Sequence, residues 1–349
     1  PHPPARVVRD ADGLPEFQEM LEVDFVVNIP TSVAEPGADP ARIVTYGHGL
    51  MGHRDEVRWC GARPLADELG VVLAATDWAG MSEDDLVTVA TALSNVTTFA
   101  NVSERVMQGI INMVVLTRTM SGVCTEQPEF QVNGHLAYDP AERYYLGISQ
   151  GSIYGATYMA LTPDLERGVL NVGGSPYPVM IGRSMDFTDY ELIYTAWYED
   201  RLDREFYMNL IQQLWDMCEG GNFIPHLIDD PLPGSNPKKI LYQIGLNDSQ
   251  VPNIASDMAA RAMGIPVIPS DIHEVWGVET APSSPFDGSA IQYWDLGAPD
   301  VPEGNQCPEE DNDAHEGVRR AASAKAQMDD FWHADGQVVD HCDGACDPD

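Results

Sequence analysis

Short apolar runs rich in β-branched residues alternate along the chain with amphipathic stretches of helical period. The runs at 23–29, 42–46, 71–75, 143–148, 168–172 and 239–244 read as strands. Several are apolar throughout, the pattern of strands buried on both faces. The helical stretches are 64–69, 103–120, 152–161, 201–218, 253–263 and 316–332. This alternation predicts an α/β protein with a mostly parallel central sheet flanked by helices, whose ligands bind at the carboxyl ends of the strands.

Two stretches interrupt the alternation. Residues 183–237 carry an amphipathic helix and many aromatics (Tyr190, Tyr194, Trp197, Tyr198, Phe206, Tyr207, Trp215) and read as an insertion. Residues 266–289 are loop-rich and hold Trp276. With no Ser/Gly linker, internal repeat or long charge block, the expectation is one domain over 1–349 ending in an acidic, Cys-containing tail at 333–349.

The most informative motif lies where a strand meets a helix. Gly147-Ile148-Ser149-Gln150-Gly151 follows an apolar strand and precedes a helical pattern. A serine at such a turn sits in a strained backbone conformation, and side chains two positions to either side would collide, hence the glycines. The plainer alternative is a glycine-rich turn whose hydroxyl caps a helix. A serine hydroxyl is a poor nucleophile without a base, and the base needs an orienting acid. His315, in a polar loop late in the chain, is the candidate base. Asp248, just past the strand at 239–244, is the candidate acid, with a helix-capping role as its alternative. The order Ser149, Asp248, His315 fits strands that deliver their loops successively to one sheet edge.

After the strand at 42–46 comes Tyr46-Gly47-His48-Gly49-Leu50-Met51-Gly52. A glycine-rich turn can present backbone N–H groups to the charge that develops on a carbonyl oxygen under attack. The N–H groups of Leu50 and Gln150 are the candidate oxyanion hole. His48 reads as shaping this loop, and His48, Met51 and Trp78 are candidate substrate contacts, Trp78 with a buried packing role as the equal alternative.

Together these motifs resemble the α/β-hydrolase superfamily, of the serine esterase and lipase kind, over most of the chain. His48-Gly49-Leu50 is similar to the oxyanion turn of bacterial lipases, 147–151 to the nucleophile elbow and 245–252 to the acid loop. The resemblance implies that Ser149 is the nucleophile, His315 the general base and acid, Asp248 its orienting partner, and 183–237 a cap or lid over the pocket.

Charge narrows the partners. The chain carries 19 Lys+Arg against 55 Asp+Glu, a net charge of −36. Such a surface repels phosphate and excludes nucleic acid or an anionic membrane as the main partner. It reads either as ordinary solubilising charge on an extracellular protein or as adaptation to salt. No apolar stretch reaches the ~18–20 residues of a membrane helix. Opening at Pro1 with no methionine and no basic-then-apolar signal region, the chain reads as either a processed mature protein or a trimmed one.

The six cysteines (Cys60, Cys124, Cys218, Cys307, Cys342, Cys346) lack zinc-ligand spacing, so disulfides are expected ahead of metal, with free buried thiols as the alternative. Cys342 and Cys346 could close a small loop, or one could staple the tail to Cys307. Neither 309–313 nor the acidic tail has the ligand pattern of a calcium loop, so a solvated acidic face is expected there.

The reading is a secreted or periplasmic bacterial serine carboxylic-ester hydrolase, of carboxylesterase or lipase type, acting without cofactor or metal on small-molecule or polymeric esters. A serine peptidase of the same fold, or a non-catalytic binding protein built on it, are the alternatives.

Overall fold

A computed structural model describes residues 6–59, 61–270, 272–342 and 344–347. In chain order the elements are β1 (Phe25–Asn28), β2 (Ala41–Gly47), α1 (Ala62–Leu69), β3 (Val72–Thr76), α2 (Leu86–Ser94), α3 (Ala100–Ser121), the strands β4 (Gln131–Val132) and β5 (His135–Leu136), and β6 (Tyr138–Ile148). They continue with α4 (Gln150–Leu161), β7 (Arg167–Asn171), α5 (Tyr177–Ile181), α6 (Thr188–Trp197), α7 (Arg201–Trp215), β8 (Lys239–Gly245), α8 (Asn253–Met263), β9 (Ala290–Trp294), α9 (Ala314–Gly317) and α10 (Ala322–Phe331). The main sheet has seven strands in the order β1-β3-β2-β6-β7-β8-β9. Only β1 is antiparallel to its neighbour; the other pairings are parallel. This is the α/β-hydrolase fold expected from the motifs.

Side chains alternate across the sheet, as the two-residue period of a strand requires. Ile43, Tyr145, Leu170, Tyr242 and Ile291 pack on one face with residues of α3, α4 and α8. Val44, Leu146, Val169, Leu241 and Trp294 pack on the other with residues of α1 and α10. Strands buried on both faces explain the unbroken apolar runs. Helix α4 is buried along nearly its whole length, which suits its place directly behind the strand-to-helix turn.

Several expectations need correction. The expected helix at 316–332 is broken: α9 gives way to a 3-10 turn, and Ala321 is extended before α10 begins. Strand β9 lies just beyond the stretch read as loop-rich, and α2 was not expected. Among the described cysteines one pair is bonded, closing the small loop that the sequence allowed. Cys342 and Cys346 are bonded to each other, while Cys124, Cys218 and Cys307 are free. Cys124 and Cys218 pack as small apolar groups in the core. Cys60 lies outside the described residues.

The tail is tied down without Cys307. Val338 pairs with Phe286 through the backbone, Asp295 N–H donates to the Cys346 carbonyl, and the Gln292 amide reaches Asp340 and the Cys346 sulfur. The acidic stretch at 309–313 is engaged as well, with Asp311 accepting from Ser249 and Gln250. No described helix is long and apolar enough to cross a membrane.

Candidate functional site

The turn at Ser149 is built by glycine. Ser149 has φ 57° and ψ −121°, between the end of β6 and the first residue of α4. That is a strained conformation for a residue with a side chain, and it is held by the Ser149 N–H bonding the Asn171 carbonyl at 2.9 Å. A Cβ on Gly147 would run into the Gly151 carbonyl, and one on Gly151 into the Gly47 carbonyl, both far inside the 3.0 Å that real Cβ contacts respect. The steric reading of the motif therefore extends to β2, whose end lies against the start of α4.

Asp248 and His315 are brought together across that edge. His315 Nδ1 lies 2.7 Å from Asp248 Oδ2, with the two side chains 2 % and 0 % exposed. Asp248 Oδ1 also accepts the N–H groups of Gln250 and Val251 at 2.8 and 2.9 Å, so the carboxylate is fixed by a turn. It does not cap α8, whose preceding residue is Pro252. With Nδ1–H directed at the carboxylate, Nε2 of His315 is the acceptor nitrogen.

The two loops are laced to each other. The Ser249 hydroxyl donates to Asp311 at 2.5 Å, and the Asn312 amide donates to the Asn247 carbonyl at 2.9 Å. Gly245 permits the approach, since a Cβ there would strike the Ala314 carbonyl.

Ser149 and His315 line one cavity with Tyr46, Glu56, Gln250, Glu316 and Arg319. The hydrogen bonds of Ser149 run through its backbone, and its hydroxyl is not bonded to the imidazole in this structure. A second, apolar slot opens from Ser149 and is lined by Leu50, Met51, Met81, Leu93, Phe99 and Trp215 among others. Its walls come from α2, α3 and α4 and from the connection between β7 and β8, which contributes Tyr177, Met180, Phe187 and Tyr190.

The glycine-rich turn after β2 stands beside Ser149. A Cβ on Gly49 would lie 4.0 Å from the Ser149 Cβ. The Gln150 side chain holds this turn and its neighbour in place, donating to the Met81 carbonyl at 2.8 Å and the Gly49 carbonyl at 3.4 Å. Glu56 supports it from below, accepting from the Tyr46 hydroxyl at 2.9 Å and the Gly49 N–H at 3.3 Å. Gln150 opens α4, so its own N–H has no partner within the helix.

His48 and Trp78 are scaffold and not substrate contacts. Both side chains are fully buried and neither lines a cavity at Ser149. His48 Nδ1 bonds the Gly49 carbonyl at 2.9 Å, and Nε2 accepts the Trp78 N–H at 2.8 Å. Burial lowers the imidazole's affinity for a proton, only partly opposed by Glu56, so His48 stays neutral and braces the loop. Trp78 packs against Tyr154 with ring centroids 5.9 Å apart. Met51 does line the apolar slot. Glu56, Asp186, Glu316 and Arg319 were not expected at the site, and no local motif marks them; Gln250 lies in the 245–252 loop but was not singled out.

No protein-family model matches the chain, and no curated protein matches it by sequence. Among solved structures it is similar to acetyl xylan esterase 1 from a Thermoanaerobacterium species, at 13% identity and a TM-score of 0.42, over 76% of this chain and 70% of that one. It is also similar to a puromycin hydrolase, at 13% identity and a TM-score of 0.49, over 94% of this chain. An acylaminoacyl peptidase gives 14% identity and a TM-score of 0.45 over 97% of this chain. The chain spans 38% of the puromycin hydrolase and 42% of the peptidase. By the order of its seven strands and the strained turn that joins β6 to α4, the chain has the α/β-hydrolase fold.

Proposed function

We propose that the chain is a serine carboxylic-ester hydrolase in which Ser149 is the nucleophile, His315 the general base and acid, and Asp248 the residue that orients His315. The observation that carries this reading is the buried 2.7 Å His315–Asp248 pair on a cavity that Ser149 also lines. Ser149 Oγ attacks the ester carbonyl while its proton passes to His315 Nε2. The backbone N–H groups of Leu50 and Gln150 receive the developing oxyanion. His315 then protonates the departing alcohol, and a water activated by the same nitrogen releases the acid from Ser149.

The apolar slot takes the acyl group and the polar cavity the alcohol side. Residues 183–237 act as a cap, since Asp186, Phe187, Tyr190 and Trp215 come from this stretch. A disulfide between Cys342 and Cys346 supports a secreted or periplasmic setting. The test is hydrolysis of p-nitrophenyl esters from acetate to palmitate by the wild type and Ser149→Ala. Turnover that vanishes in Ser149→Ala supports the reading, and the preferred chain length separates esterase from lipase. Absence of Ser149-dependent turnover on every ester overturns it and moves peptide substrates forward.

A further inference from the structure

Two cavities of opposite character meet at Ser149. Leu50, Ser149, Asp186 and Gln250 line both of them. Asp186 is the charged member of this shared set. Its carboxylate makes no hydrogen bond or ion pair with the described residues, and burial pushes its pKa above the ordinary range, with His315 opposing.

The carboxylates that flank His315 or share the polar cavity are engaged. Asp248 holds His315 and two N–H groups. Glu56 holds Tyr46 and Gly49, and Asp311 holds Ser249 and Gln250. Glu316 pairs with Arg319 and Arg320, so the guanidinium of Arg319 is already balanced. Asp186 is the exception: half-buried at the junction of the two cavities, its carboxylate has no donor among the described residues. The negative charge around it, and the charge of the whole molecule, make a cation the favoured donor.

Resting on the reading of Ser149 as nucleophile, we propose that Asp186 is a specificity-determining residue that selects acyl groups bearing a cationic amine next to the scissile carbonyl. The apolar side chain of the same acyl group fills the slot. Asp186 and Ser149 line both cavities together, so the amine that Asp186 receives is one carried by the acyl group near its scissile carbonyl. The substrate class is therefore an ester or amide of an apolar α-amino acid with a free amino group. An acyl group with an anion in that place is repelled.

A matched pair of esters tests this, because leucine p-nitrophenyl ester and p-nitrophenyl 4-methylpentanoate differ only by the α-ammonium group. Comparing each ester between wild type and Asp186→Asn cancels their different intrinsic reactivity. The expected result is a fall in kcat/KM on the leucine ester that exceeds any change on the neutral ester by about tenfold or more. Equal losses on both esters, or no loss on the leucine ester, overturn the proposal while leaving Ser149-dependent hydrolysis standing. Loss of Ser149-dependent turnover on both esters in the wild type overturns the hydrolase reading as well. Should Asp186→Asn fail to fold, inhibition of the wild type by leucinamide and by 4-methylpentanamide decides: leucinamide binds about tenfold tighter, and equal inhibition overturns the proposal.

Discussion

Gly151, in the first turn of α4, lies so close to the Gly47 carbonyl at the end of β2 that no side chain fits between them. The strained turn at Ser149 is thus packed against the strand that leads into the glycine-rich turn, which fixes Ser149 relative to the segment that carries Leu50.

Gly151→Ala should therefore cost stability and activity together. The added Cβ meets backbone atoms, which cannot rotate away, so a loss of about 3 kcal/mol or more is expected. Urea unfolding followed by tryptophan fluorescence measures it. A variant within about 0.5 kcal/mol of wild type would mean that the turn is looser than described.

Asp248→Asn keeps the shape of the side chain but removes the charge beside His315. The Gln250 and Val251 N–H groups can still be accepted, so the fold should persist, while the imidazole loses the partner that fixes its tautomer. The expected loss in kcat is about 10⁴-fold, by analogy with serine hydrolases in which the same change has been made. Retention of most activity would remove Asp248 from the reaction.

Glu219 gives the stability a pH dependence of its own. Fully buried, its carboxyl is pushed up from 4.5 to about 7 by desolvation, against the Ser175 hydroxyl, the Gly221 N–H and the Gln212 amide that favour its charged form. A folded-state value above the unfolded one means that the folded protein holds the proton more tightly. The stabilisation is then complete below about pH 4.5 and is lost as pH rises through about 7, roughly 3 kcal/mol in all. Glu219→Gln should flatten the fall in melting temperature over that window relative to wild type. Identical pH profiles would show that Glu219 titrates normally.

The slot should set acyl-chain preference. Phe187 and Tyr190 are partly buried residues in its wall and come from the connection between β7 and β8. Phe187→Ala should raise the ratio of octanoate to butyrate hydrolysis by at least about tenfold, the effect of one further methylene accommodated at about 1–3 kcal/mol. An unchanged ratio would place the acyl chain elsewhere.

Much of this architecture is legible in the sequence because its physics is local. Strands buried on both faces must be apolar along their length, and the turn at Ser149 needs small residues at 147 and 151. What is hidden depends on tertiary partners. Strand β9 carries Gln292 at its centre, a polar residue that is buried because Gln327, Asp340 and the tail satisfy it from far along the chain. Helix α2 is rich in β-branched residues and is helical by packing more than by propensity. Glu56, Asp186 and Arg319 reach the site from separate elements, so no spacing announces them. Trp78 was ambiguous from sequence, since a tryptophan past a strand end suits a rim or a core equally.

The central claim is that Ser149 is a nucleophile activated by His315. Reaction of the folded protein with a fluorophosphonate, followed by peptide mass mapping of wild type, Ser149→Ala and His315→Ala, tests it most directly. A single adduct on the peptide containing Ser149, abolished in Ser149→Ala and strongly slowed in His315→Ala, is the expected result. Labelling at another residue, or none on a protein shown to be folded, would contradict it.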